Sequence, residues 1–190
     1  MGQKELIAES FGPDAADAWA SFSPTPDQVQ ALAERGRELL DHFPKMPGAC
    51  ALMSAVYAWS LEKLNLPPAY VVAGSLYLGE TRVFGEDGDI NGRTRFSRSD
   101  PSWDGHAWII WGDRLVDVSI FRTAYSSGSP PALAAQVARE FGPGRGLLIC
   151  KTDDVIKSGL RYVPQYVLTQ AQVDALARGA SAKITGTAPG

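Results

Sequence analysis

The chain has 190 residues, 45% of them hydrophobic and 21% charged, with a net charge of −3. This balance fits one soluble globular domain, large enough to bury a core without a metal or disulfide staple. The absence of a basic surplus argues against a nucleic-acid binder. The apolar runs are far shorter than the ~20 residues that cross a bilayer, so no membrane partner is expected. The opening MGQKELIAES lacks the apolar centre of a signal peptide, so a cytoplasmic location is expected. A single domain over 1–190 is expected, with 1–25 and 179–190 as flexible ends.

A short helix is expected from Asp14 to Phe22, ended by Ser23-Pro24-Thr25-Pro26. Thr25 then reads as an N-cap, with Pro26 at the first helical position and Gln28 three residues after the cap. That helix runs to about His42, its apolar positions Val29, Leu32, Leu39 and Leu40 near helical spacing. After the breakers Pro44 to Gly48, a second helix spans Ala49 to Leu64 with a broad apolar face that includes Trp59. Tyr70 to Leu78 reads as a strand, and 79–104 as a long irregular insertion. His106 to Trp111 and Arg114 to Ile120 read as paired strands around a Gly112-Asp113 turn. A helix from Ala132 to Phe141, strands Leu147 to Lys151 and Arg161 to Leu168, and a helix from Gln170 to Arg178 complete the chain. Helices first and strands after them fit an α+β domain with helices packed on an antiparallel sheet.

The chemistry-bearing residues are few. The cysteines are Cys50 and Cys150, and the histidines His42 and His106. Cys150 lies in an apolar strand run and reads as core. His42 closes a helix, where a histidine suits the negative end of the dipole. Cys50 opens a helix, whose free N–H groups and positive end favour a thiolate and can hold an oxyanion. In the expected hairpin a two-residue turn pairs Trp111 with Arg114, hence Trp108 with Asp117. His106, Trp108, Asp117 and Ser119 then share a face, and Asp117 becomes a diagonal neighbour of His106. Asp113 is the competing acid, but it sits in the turn, where an aspartate needs no further reason. A Cys50–His106–Asp117 zinc site would be an unusual ligand mix without a CxxC or HxxxH pair, so neither metal nor cofactor is expected. Arg93, Arg95 and Arg98 surround Phe96 in the insertion. A solvated loop is the first reading of this cluster, a lip for an anionic substrate group the second.

Gly48-Ala49-Cys50, Gly105-His106-Ala107-Trp108 and Leu115-Val116-Asp117-Val118 occur in the order Cys, His, Asp. Over residues 44–120 the chain resembles the transglutaminase-like branch of the papain-like cysteine superfamily, and arylamine N-acetyltransferases show a similar arrangement. The resemblance implies a papain-like or transglutaminase-like α+β fold. It also implies Cys50 as nucleophile, His106 as general base and acid, and Asp117 as the orienting acid. Acyl transfer through a thioester follows, with hydrolysis of a peptide or small-molecule amide as the main expectation. An amine-accepting acyltransferase and a catalytically inactive binding module on the same fold are the alternatives. The segment Asp41 to Met46 has no glutamine where papain-like proteases carry an oxyanion donor. The Cys50 backbone N–H, Trp103 or Tyr57 are the candidates for that role. Trp103 and Trp108 are the expected substrate-lining residues.

Overall fold

A computed structural model describes residues 2–99, 103–143 and 146–185. Four helices come first: α1 (Gln3–Phe11), α2 (Pro13–Ser21), α3 (Pro26–His42) and α4 (Cys50–Glu62). Then follow β1 (Tyr70–Leu78), β2 (Thr81–Phe84), α5 (Gly92–Arg95), β3 (His106–Trp111), β4 (Arg114–Asp117) and α6 (Ile120–Ala124). The remainder is α7 (Pro131–Phe141), β5 (Leu148–Lys151), α8 (Thr152–Lys157), β6 (Leu160–Val167) and α9 (Gln170–Thr185). This is an α+β architecture in which every strand pairing is antiparallel.

Local chemistry sets the helix bounds. Thr25 and Gln28 form a reciprocal capping box at the start of α3, with Thr25 N–H donating to Gln28 Oε1 at 2.9 Å. Helix α4 buries ten of its thirteen residues, so it has no solvated face and is a core helix. It lies against β1 and β3 on one side and against α3 and α9 on the other. Trp59 is the exception on its expected apolar face, 41% exposed beneath the Lys63 ammonium.

Strand β1 is the spine. One edge carries β6 along residues 72–78, and the other is shared by β3 against residues 70–74 and β2 against residues 76–78. The sheet continues from β3 through β4 to β5. It is strongly curled: Tyr162 on β6 donates a hydrogen bond to Asp117 on β4 at 2.9 Å, although β1 and β3 lie between those strands. Alternate residues feed two cores. Ala73, Ala107, Ile109 and Val116 face α4, while Val72, Trp108, Ile110 and Leu115 fill the opposite, concave side.

The expected β3–β4 hairpin forms, with Trp111 opposite Arg114 and Ile109 opposite Val116. Gly112 supplies the positive φ, +55°, at the first turn position. Other expectations need correction. The 79–104 insertion is not all loop, since it contains β2 and α5. Residues 100–102 of it lie outside the described residues. Strand β4 stops at Asp117 rather than Ile120, because the Asp117 carboxylate accepts the Ser119 and Ile120 N–H groups and turns the chain into α6. The N-terminal segment is two helices that bury Leu6, Ile7 and Ala16. The final helix runs on to Thr185 with Gly179, Ala180 and Ala182 buried, and the tail beyond it lies outside the described residues.

Gly74 is where β1 and β6 approach most closely. A Cβ there would sit 2.1 Å from the Val163 carbonyl oxygen and 2.8 Å from the Trp108 ring. The first contact is backbone and cannot rotate away. Gly74→Ala is therefore expected to destabilise the fold by about 1–3 kcal/mol, read as a lower urea midpoint. An unchanged midpoint would show that β6 shifts at no cost.

Candidate active site

The site forms where one end of α4 meets the start of β3. Cys50 is the first residue of α4, a helix start without a side-chain cap. The Ser54 hydroxyl, one turn further on, donates to the Ala107 carbonyl at 3.2 Å and fixes α4 against β3. The sulfur lies 3.9 Å from the Gly105 carbonyl oxygen. Gly105 must be a glycine here because the Trp103 ring lies over it, 1.9 Å from where a Cβ would stand. Cys50 thus arrives from the α4 side of the sheet, and His106 points to the concave side. They meet around the bare backbone of Gly105.

His106 is fully buried. Its ring stacks between Phe84 and Trp108, with centroids 6.1 and 6.3 Å away. Nε2 donates to Asp117 Oδ2 at 2.5 Å. Asp117 is also fully buried, and it accepts four further hydrogen bonds. They come from the Tyr162 hydroxyl on Oδ2 and from Ser119 N–H, Ser119 hydroxyl and Ile120 N–H on Oδ1, each at 2.9 Å. Five donors on one carboxylate hold it ionised and aimed. His106 Nδ1 makes no conventional hydrogen bond among the described residues, and the side chain acting on the ring beside Asp117 is Cys50.

The electrostatics follow. Burial alone would drive the proton off His106, but the Asp117 charge and hydrogen bond outweigh it, Cys50 adds to them, and the imidazole pKa is raised to about 10. Burial alone would likewise raise the Asp117 carboxyl; the His106 charge and the hydrogen bonds from His106, Ser119 and Tyr162 hold it below the usual carboxylate range. Burial, then the neighbouring carboxylate, push the Tyr162 phenol well above its ordinary value, so it stays a donor.

A second tie holds the cysteine loop. Arg122 on α6 donates to the Leu40, Phe43 and Pro44 carbonyls, the last two at 2.8 and 3.4 Å. Helix α6 begins on the Asp117 carboxylate and ends by gripping the segment that leads to Cys50. Asp117 and the segment before Cys50 therefore share one anchor.

Cys50 and His106 line a cleft of about 400 Å³. One wall is β2, with Arg82 and Phe84; the other is the end of α6, with Thr123, and the loop after it, with Ser126 and Ser129; Trp103 also lines it. Trp103 is thus placed where the sequence reading put it. Trp108 is not: it is fully buried behind the imidazole, against Tyr162, because it shares the concave face with His106 rather than the cleft. Arg93, Arg95 and Arg98 do not line the cleft. Arg95 pairs with Glu86 at 2.5 Å, and the cleft guanidinium belongs to Arg82, itself paired with Asp87 at 2.5 Å. His42 hydrogen-bonds the Glu38 carbonyl at 2.8 Å, as a helix-end histidine should. Cys150 is half-buried on β5, its thiol pushed up to about 11 by burial.

Sequence reasoning missed Arg82, Phe84, Tyr162 and Arg122. A signal for the first two existed. Gly79-Glu80 is a glycine-acid turn like Gly112-Asp113, with Leu78 opposite Thr81 and Gly79 at φ +57°. Tyr162 reaches the site through the curl of the sheet, which no local pattern encodes. No family model, curated protein or solved structure matches the chain.

The pair makes stability depend on pH from both sides. A raised histidine pKa contributes stability that is complete below its unfolded value of 6.5 and is lost as pH rises through about 10. A lowered carboxylate pKa contributes stability present above 3.8 and lost as pH falls through the folded value. Urea unfolding free energy should therefore be greatest between these limits. Asp117→Asn should lower it by about 3–5 kcal/mol near neutrality, the cost of one orphaned partner in a buried pair, and should remove the pair's share of the alkaline decline. Parallel pH curves for wild type and variant would show that the pair contributes nothing.

Proposed function

We propose that the chain is a cysteine-dependent acyl-transfer enzyme of papain-like or transglutaminase-like fold, hydrolysing an amide or peptide bond through a thioester on Cys50. One observation carries this reading: the buried His106 is held by Asp117 at 2.5 Å through Nε2, which leaves Nδ1 for a cysteine lining the same cleft. The acidic partner outweighs burial and keeps the imidazole ready to carry a proton.

In the proposed reaction His106, as the imidazolium, holds the proton given up by Cys50, and the thiolate attacks the carbonyl carbon. The tetrahedral oxyanion collapses, the C–N bond breaks, and His106 returns the proton to the departing amine. Water then attacks the thioester, the C–S bond breaks, and the acid and free thiol are released. The oxyanion needs donors. The Cys50 backbone N–H at the helix start is one. The Trp103 indole N–H is the other: it is buried and has no hydrogen-bond partner among the described residues, an expensive arrangement unless something fills it. Tyr57 is not available, because its hydroxyl donates to the Leu32 carbonyl away from the cleft.

Iodoacetamide at neutral pH tests the nucleophile. Cys50 is expected to alkylate at least tenfold faster than Cys150, and His106→Ala to remove most of that advantage. Labelling of a folded protein no faster than a simple thiol peptide would favour the binding-module alternative. Trp103→Phe keeps the ring and removes the donor. It is expected to lower kcat by roughly 10²–10³, as loss of one oxyanion donor does, with Cys50 alkylation unchanged. Wild-type kcat in this variant would remove Trp103 from the oxyanion site.

A further inference from the structure

We infer that the acyl part of the substrate carries an apolar group, and that a second chamber beside the cysteine holds it. This rests on the thioester reading. The chamber measures about 760 Å³ and shares Pro47, Ser126 and Ser127 with the Cys50 cleft, so the two adjoin across that wall. Its volume lies in the range of small-molecule sites. Leu40, Met46, Phe121 and Tyr125 supply its apolar walls. Tyr125 is 50% exposed, a large ring facing solvent beside the shared loop. The one guanidinium within, Arg122, is already spent on three backbone carbonyls, so it offers no free charge to an anionic ligand. Asp41 and Lys45 are exposed and of opposite sign.

The direction follows from the chemistry. The leaving amine must depart beside the imidazole that protonates it. His106 stacks on Phe84, so the leaving side is the β2 end of the groove. The second chamber touches neither residue and opens past Pro47 at the opposite end. The acyl chain, bonded to the carbonyl opposite the leaving group, points there. Lys45, Met46 and Pro47 lead directly into Cys50, so a group seated against them stays joined to the reacting carbon.

A series of p-nitrophenyl esters, from acetyl through butyryl to hexanoyl, tests this. Each acylation forms a C–S bond at Cys50, expels p-nitrophenolate and leaves the thiol proton on His106; water then cleaves the thioester. Each buried methylene is worth roughly fourfold in binding. From acetyl to hexanoyl kcat/KM is therefore expected to rise at least tenfold, with intact mass showing each acyl group on Cys50. In Tyr125→Asp, at this half-exposed position, the hexanoyl-to-acetyl ratio is expected to fall to threefold or less. A flat or falling series with Cys50 still acylated would overturn the chamber assignment and leave the nucleophile standing, as would an unchanged ratio in Tyr125→Asp. Folded protein that forms no acyl adduct with any ester would overturn the thioester reading and this inference with it.

Discussion

The structure depends on a charged pair placed where charges are costly. His106 and Asp117 lie on the concave side of the sheet among Trp108, Leu115 and Ile110, with no water contact for either ring or carboxylate. Removing two ions from water costs several kcal/mol each, and their mutual attraction recovers this only with good geometry and full hydrogen bonding. Much of the local fold can be read as meeting that condition. Asp117 takes donors from its own turn, from α6 and, across the curl of the sheet, from Tyr162. A flat sheet would leave that phenol out of reach. A hairpin loop one residue longer would turn the carboxylate to the α4 side, among Ile109 and Val116, away from His106 and Tyr162.

The same pair explains how a cysteine from one side of the sheet meets a histidine from the other. Helix α4 cannot pass through β3, so the two groups can meet only at the strand's end. Gly105 offers no side chain to separate them, and Ser54 fixes the height of the helix against Ala107. Arg122 then ties the approach to Cys50 to the helix that Asp117 itself initiates. Geometry within a fraction of an ångström matters for proton transfer. Here it is set by contacts anchored on backbone carbonyls, those of Ala107, Leu40, Phe43 and Pro44.

What the sequence revealed depended on the range of the interactions. The capping box at Thr25, the apolar helix after Cys50 and the parity of the β3–β4 hairpin are all encoded within a few residues, and each emerges as read. Parity alone was enough to choose Asp117 over Asp113, which lies in the turn beside Arg114 at 3.2 Å. The same parity put Trp108 on the His106 face, and the error was to equate that face with the cleft. The face is the interior of a curled sheet, and only its last residue reaches the opening. The strand β2 was hidden by composition: glycines, acids and arginines around Thr81 to Phe84 outweighed a four-residue alternation. Tyr162 and Arg122 act across 45 and 79 residues of chain, a range at which one sequence carries no pattern.

Burial of the imidazole also constrains what kind of substrate can use it. A histidine with no exposure cannot exchange protons freely with bulk solvent, so under the proposed function a proton shared with Cys50 would stay beside the sulfur. Phe84 and Trp108 flank the ring, with centroids 6.1 and 6.3 Å away. The serine- and threonine-lined wall of the cleft supplies neutral hydrogen-bonding groups rather than ions. Arg82, the cation within reach, is turned outward to Asp87. Under the proposed function, selectivity would lie in the Pro47 and Ser126–Ser127 walls shared by the two chambers, not in the buried His106–Asp117 pair.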